Sequence, residues 1–286
     1  MFSALFWAVA AVLFARLGEY FSARTLNIGK GIVASICLAV LVLPGNVIDL
    51  ERQAFWYLML SGLLGITIGD TLYFLTLQRL GAKLTLLVGT LIPVVSAVAA
   101  IFLFNEQISV LATLGLFLTI FGVSYVLWQR AEDSQKDKMW LSGLIVAMIY
   151  VLAESGGILL TKMGLGYYDS LEATFIRQVW GVVGLTFWGL AAGNMLSGFR
   201  PLINRPKLAA LFVVTSFIGA FLGTWLSILA LDLTYTAVAV SLNSTSPLFV
   251  LPISYWFLKE KLTKSSVIGA TIAVLGIVVY FSSLPS

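Results

Sequence analysis

Residues 62–126 recur without a gap at 216–280, and this duplication restricts the fold more than any other feature of the chain. Under a shift of 154 positions, Gly65, Gly69, Pro93, Glu106, Gly115 and Gly122 fall on Gly219, Gly223, Pro247, Glu260, Gly269 and Gly276. Leu72, Leu75 and Leu77 fall on Leu226, Leu229 and Leu231, so only nine of 65 positions are identical. The identities lie on the residues that punctuate helices, where Gly and Pro act on the backbone and not through side-chain chemistry.

The material between those punctuation marks is apolar. Hydrophobic residues make up 60% of the 286 and charged residues 10%. A soluble domain would carry about 25% charged residues, so this is the composition of an integral membrane protein. A helix needs about 20 residues to cross the hydrocarbon core. On that measure ten apolar runs qualify: 2–21, 28–45, 55–77, 84–104, 110–128, 140–161, 173–193, 208–230, 237–257 and 265–283. The longest polar connection, QRAEDSQKDK, covers Gln129–Lys138. It predicts three parts: a five-helix repeat over 1–128, a polar linker over 129–139 and a second five-helix repeat over 140–286. An odd number of spans per copy puts the copies in opposite orientations, the inverted-repeat design of secondary transporters with a shared site between the copies. The expected fold class is an all-α integral membrane protein of ten transmembrane helices in two inverted five-helix repeats.

The first apolar run starts at Phe2 with no basic leader before it, which reads as a retained helix and not a signal peptide. Thirteen Lys and Arg residues fall in odd-numbered loops, Arg24, Lys30, Arg79 and Lys83 among them, against Arg52 and Lys162 in even ones. Positive charge marks the cytoplasmic side, so both termini are expected outside the cell, in a bacterial inner or plasma membrane. These basic residues are a topology signal and not a nucleic-acid patch. With no histidine and one cysteine, Cys37, an intrachain disulfide, a His-based metal site and a catalytic triad are excluded. No metal, cofactor or enzymatic activity is expected.

Candidate functional residues are the polar groups at membrane depth. Pro93 and Pro247 each remove a helical hydrogen bond and free the carbonyl four residues earlier, at Gly89 and Asn243. Such breaks survive in a membrane where they face protein or a water-filled cavity. Gly89 and Thr90 beside one break, and Ser241, Asn243, Ser244 and Thr245 beside the other, are therefore expected to line a substrate cavity. The alternative is a kinked helix whose hydroxyls bond back to their own backbone. Asp70 is a carboxylate inside a span, with Tyr73 one turn later on the same face. It binds a cationic group or a coupling proton, or it is fixed by neighbouring hydroxyls and amides and serves packing. Glu19 and Glu154 are placed at nearly equivalent positions in the two halves, as are Lys30 and Arg177. A carboxylate–cation pair at such depth could exchange partners with substrate or a proton, or it could be a static ion pair. Gly65-x-x-x-Gly69 and Gly219-x-x-x-Gly223 read as packing seams. Glu106 and Glu260 read as helix N-terminal caps.

The order of these features resembles the ten-helix form of the drug/metabolite transporter superfamily, built from two EamA-type repeats. The resemblance is carried by GDTLYFLTLQRLGAKLTLLVGTLIPVVSAVAAIFLFNEQIS at 69–109 and by TSPLFVLPISYWFLKEKLTKSSVIGATIAVLGIVVY at 245–280. It implies a proton- or exchange-driven carrier of amino acids, other metabolites, drugs or nucleotide sugars. A membrane-embedded Glu in the first helix serves proton and substrate binding in smaller relatives, which draws attention to Glu19 and Glu154. Ten-helix relatives commonly keep both termini in the cytoplasm, the reverse of what the loop charges indicate here.

The expected function is a secondary active transporter, an exporter, moving small metabolites, amino acids or drug-like solutes by alternating access, with proton coupling or exchange as the driving force. The partners are a small-molecule substrate and the bilayer. A membrane-embedded enzyme acting on lipid-linked substrates, and a passive channel or structural membrane subunit, are the alternatives.

Overall fold

The computed structural model describes residues 2–44, 53–104, 109–133, 138–165, 167–191, 197–233, 245–257, 259 and 263–282. Among these residues the chain is helical, with no named strand. The first half runs α1 (Phe2–Leu17), α2 (Ala23–Val42), α3 (Gln53–Ser61), a π-helical segment π1 (Gly62–Asp70), α4 (Thr71–Gly89), α5 (Leu91–Phe104) and α6 (Val110–Asp133). The second half runs α7 (Lys138–Gly164), α8 (Ser170–Ala191), the short α9 (Arg200–Ile203), α10 (Pro206–Ser216), a second π segment π2 (Phe217–Gly223), α11 (Thr224–Leu233), α12 (Ser246–Phe257) and α13 (Lys264–Ser282).

Five described segments are long and apolar enough to cross a membrane: Ala23–Val42, Gln53–Gly89, Val110–Gln129, Met139–Gly164 and Pro206–Leu233. Phe2–Leu17, Ser246–Phe257 and Lys264–Tyr280 are shorter apolar helices. The expectation of ten spans therefore meets five by this measure. The segment Gln53–Gly89 bends at Gly81, whose φ of 80° lies in the left-handed region that a side chain disfavours. It contains one expected span, 55–77, and the first residues of the next. The helix α8 carries Glu172 and Arg177 and is not among the five.

The duplication is visible in the backbone. The two π segments occupy corresponding stretches of the repeat, each just after a short α-helix and each carrying the paired glycines. A π turn shifts the helical hydrogen-bond register by one residue and frees backbone groups that neighbours must satisfy. At π1 this is done by Asn27, whose Nδ2 donates to the Ile66 carbonyl at 2.7 Å and to Thr71 Oγ1 at 2.9 Å. From the other side, Thr67 donates to the Gly181 carbonyl of α8 at 2.9 Å.

Helices from one half pack on the π segment of the other: α7 and α8 on π1, α1 and α2 on π2. The contacts themselves are duplicated. A Cβ on Gly69 would run into Glu154 of α7 and one on Gly65 would touch Gly157, while one on Gly219 or Gly223 would run into Ala10 or Trp7 of α1. The shift that carries Trp7 to Glu154 and Ala10 to Gly157 also carries Lys30 to Arg177, and the N-cap Ser22 to the N-cap Asp169. The expected equivalence of Lys30 and Arg177 thus holds in the packing, whereas that of Glu19 and Glu154 does not. Trp7 stands where Glu154 stands in the other half.

The two halves also meet backbone on backbone between α6 and α13. A Cβ on Gly122 would lie 2.6 Å from the Gly269 carbonyl and 2.5 Å from the Ala273 nitrogen. A Cβ on Gly276 would lie 2.6 Å from the Gly115 carbonyl and 2.5 Å from the Thr119 nitrogen. As numbers rise in one helix the partners fall in the other, so the two cross antiparallel, backbone on backbone, through four duplicated glycines. Thr119 Oγ1 reaches the Ala273 carbonyl at 3.3 Å, and these two residues are the same position of the repeat. The opposite face of α6 presents Phe117, Phe121 and Trp128 outward, where a bilayer accepts them.

This crossing yields a stability prediction. Gly122→Ala pushes a methyl group into backbone that cannot retract, and overpacking of this kind costs about 1–3 kcal/mol. Thermal unfolding of purified protein in detergent is expected to shift down by several degrees. Phe121→Leu on the outward face is expected to leave it nearly unchanged.

Candidate functional site

A cavity of 190 Å³ is walled by both halves, by α1, α2, π1, α4 and α5 of the first and by α7, α8, π2, α11 and α12 of the second. Four charged side chains line it: Lys30, Asp70, Glu154 and Arg177. They arrive by different routes. Lys30 lies in the second turn of α2, which begins at Ala23, capped by the Ser22 hydroxyl accepting from the Thr25 amide at 3.2 Å. Asp70 ends π1. Glu154 sits in α7 and reaches the cavity only because the facing residue is Gly69, where a Cβ would stand 2.7 Å from Oε1. Arg177 on α8 lies against Gly65, with Nη2 3.1 Å from where a Cβ would be. Gly65 and Gly69, read from sequence as a packing seam, are thus the clearance for the charged groups.

The charges sort into one closed pair and two open groups. Lys30 Nζ and Asp70 Oδ2 form an ion pair at 2.6 Å, with side chains 11% and 21% exposed. Lys30 Nζ also stands 5.2 Å from the Phe74 ring centroid, a cation–π contact. Asp70 is therefore held by a lysine, and not by the hydroxyls or amides of the packing reading. Glu154 has Asp70, Arg177 and Lys30 as charged neighbours, but makes no ion pair within 4.0 Å among the described residues. Arg177 is buried, and its Nε has no hydrogen-bond partner among them. Gln178, the next residue, is also buried with Nε2 unpartnered. Both line the cavity. Buried donors that the fold leaves unused are costly, so these point to a ligand that uses them.

Aromatic groups close the space between the charges. Tyr73 and Tyr150 pack at 5.5 Å between ring centroids, and Phe14 meets Phe74 edge-on at 5.0 Å. The break before Pro93 is present: α4 ends at Gly89, Thr90 forms a turn and α5 starts at Leu91. Gly89, Thr90, Ile92 and Pro93 line the cavity, and Ser155 of α7 donates to the Ile92 carbonyl at 3.2 Å. Thr90 keeps its own hydroxyl on the Leu87 carbonyl, as the backbone-bonding alternative requires.

Of the residues singled out in the sequence, Lys30, Asp70, Tyr73, Gly89, Thr90, Pro93, Glu154 and Arg177 meet at this cavity. Glu19 does not. It is exposed in the turn after α1. Thr245 begins the turn before α12, where Ser246 and not Thr245 reaches the cavity, and Pro247 is the second residue of that helix. Ser241, Asn243 and Ser244, together with Glu106 and Glu260, lie outside the described residues. Lys30, counted above as a loop charge, is buried in α2, and Arg24 lies in its first turn. Arg79 and Lys83, also counted there, lie in α4.

Trp7, Phe14, Tyr150 and Gln178 were not singled out as cavity residues, although all four line it. For Trp7 a signal existed: the shift relating Lys30 to Arg177, kept constant, lands Glu154 on Trp7.

The comparisons with known proteins agree with this architecture. The model of the EamA-like transporter family matches residues 1–128 and again 141–282. The chain belongs to the EamA-like transporter family. It is therefore a multi-pass integral membrane protein of a transporter family. A protein of Archaeoglobus fulgidus named "Uncharacterized transporter" is 25% identical over 278 residues, covering 96% of this chain and 94% of that one. "Protein LicB" of Haemophilus influenzae is 26% identical over 188 residues, covering 64% of this chain and 63% of its own length. A solved crystal structure aligns with a TM-score of 0.66 over 97% of this chain and 95% of that chain, at 16% identity, and so has the same fold.

The Lys30–Asp70 pair is testable by a double-mutant cycle in this family member. Asp70→Asn and Lys30→Met each strand one buried charge, so each is expected to lower thermal stability. The double variant is expected to lose less than the sum, with a coupling of about 1–3 kcal/mol. Additive losses would show the two side chains to be independent.

Proposed function

We propose that the protein is a secondary active transporter that exports a small solute by alternating access, with the cavity between the halves as its substrate site. The observation that carries this reading is the pair of open groups, Glu154 and Arg177, in a cavity walled by both halves of a duplicated chain. Opposed repeats can rock about such a shared site and expose it to each side in turn. In this reading the chain has ten spans, with repeats over 1–128 and 140–286 joined by the linker 129–139, and it resides in a bacterial plasma membrane with both termini outside.

The size of the cavity supports a metabolite in place of a drug-sized ligand, whose sites are about 300–1,000 Å³. The charges support a coupling device. Two anions and two cations within one cavity balance, but only Lys30 and Asp70 are closed on each other. A substrate ammonium group or a proton arriving at Glu154 neutralises it, and a substrate carboxylate arriving at Arg177 occupies its free donors. Either event changes which charge Lys30 is drawn towards, Asp70 or Glu154, and so biases the packing of α2 and α7 about π1. A ligand shifts an equilibrium only through such a difference in interaction between its states.

Purified protein in liposomes, preloaded with unlabelled solute, tests this by counterflow of labelled amino acids, amines and organic anions. Saturable counterflow of one class is expected. A pH gradient is expected to drive accumulation by the wild-type protein. Glu154→Gln is expected to lose that accumulation while remaining folded, and Arg177→Lys to raise KM at least tenfold. Flux that rises linearly with concentration, or a Glu154→Gln variant that still concentrates solute, would sink the reading.

A further inference from the structure

The duplication is broken within the cavity at several related positions, four of which share one direction, while Ile92 and Ser246 run the other way. Trp7 and Glu154 are related positions, as are Phe14 and Thr161, and all four line the cavity. Thr224 is the related position of Asp70, and Gly31, packed against Val182 and not lining the cavity, is that of Gln178. At each of these pairs the charged or amide-bearing member, or the hydroxyl of Thr161, lies on the side built by α7, α8 and π1. The apolar or small neutral member lies on the side built by α1, α2 and π2. Lys30, the related position of Arg177, does not restore the balance, because its ammonium reaches across to Asp70 at 2.6 Å. The second side is completed by Ala10, Gly219, Ala220 and Ile228, with the Thr224, Ser227 and Ser246 hydroxyls as its polar groups. The indole of Trp7 lies against π2, where a Cβ on Gly223 would stand 2.7 Å from Cδ1 and 2.8 Å from Nε1. The Trp7 ring therefore rests against the π2 backbone, is only partly buried and lines the cavity.

We infer that the cavity selects amphipathic solutes in one orientation, a charged head against Glu154, Arg177 and Gln178 and an apolar body against Trp7, with Trp7 as the residue that sets this selectivity. This rests on reading the cavity as a solute site. A symmetric cavity would offer equal poles and no preferred orientation. Here an anionic headgroup placed against Trp7 has no partner and a cationic one has only the ring face, and either placement strands the donors of Arg177 and Gln178, while the reverse placement satisfies both ends. The inference depends on the apolar body more than on the sign of the head, since the charged side holds groups of both signs.

Matched probe pairs test it on the purified full-length protein by titration calorimetry: ethylamine with phenethylamine, acetate with phenylacetate, and glycine with phenylalanine. Burying a phenyl-sized apolar group is expected to tighten binding about tenfold to a hundredfold. For whichever heads bind, the aryl member should exceed its partner by at least tenfold. Trp7→Ala should reduce that ratio to about threefold or less, and Trp7→Phe should keep most of it. Should Trp7→Ala fail to fold, Trp7→Gln fills the space against Gly223 with a polar group and should reduce the ratio likewise. Glu154→Gln should weaken phenethylamine more than phenylacetate, and Arg177→Gln the reverse. Equal affinities within each pair, an unchanged ratio in the Trp7 variants, or no binding of any probe would overturn the inference. Its failure is separable from that of the carrier reading. Binding with the aryl ratio but without counterflow removes the carrier and keeps the site, whereas saturable counterflow with no aryl ratio does the opposite.

Discussion

A charge in a membrane interior must face protein or water, and four such charges determine how this chain packs. A charged residue at the centre of a spanning helix costs about 2.5–3.5 kcal/mol on the insertion scale. Lys30, Asp70, Glu154 and Arg177 come from four different segments, and bringing them to one cavity places α2, π1, α7 and α8 around a common centre. The packing that permits this is made by residues without side chains. Gly65 and Gly69 admit Arg177 and Glu154, and Gly62 lets the Arg177 carbonyl lie against π1. The π register and the glycines are thus part of the site. They bring a helix backbone close enough that two carboxylates and two cations fit in a small volume.

Around that centre the duplication governs the rest. Each π segment is gripped by two helices of the other half, and the halves meet again where α6 crosses α13 through paired glycines. The grip on π1 and the grip on π2 use related positions, so one structural solution occurs twice. What differs is the chemistry at the tips: Glu154 against Trp7, Asp70 against Thr224. A duplicated frame with unlike ends gives related positions of the cavity wall different chemistry.

The identity of Trp7 as the counterpart of Glu154 shows where sequence reasoning went astray. Glu19 looks like the natural match because it is the carboxylate in the first apolar run. Residue type overrode register there. In the structure Glu19 is exposed in a turn, while the constant shift through Ser22 and Asp169, and Lys30 and Arg177, picks out an aromatic residue. The Asp70 partner was equally out of reach, since Lys30, forty residues earlier on another helix, matched Arg177 as a candidate cation with nothing in the sequence tying it to Asp70. The break at Gly89 and Thr90, by contrast, followed directly from Pro93, because proline acts on the carbonyl of its own helix.

The amino-acid sequence by itself determined that the chain is an apolar, duplicated helical membrane protein with a helix break just before Pro93. Composition, proline and glycine act locally or through the solvent, so they are readable without coordinates. Tertiary structure alone decided which charges pair, which stay open and which side of the cavity is apolar. Those outcomes depend on distances between segments far apart in the chain, down to the 2.6 Å between Lys30 and Asp70. Interactions between charges in a low-dielectric interior change steeply over a few ångströms.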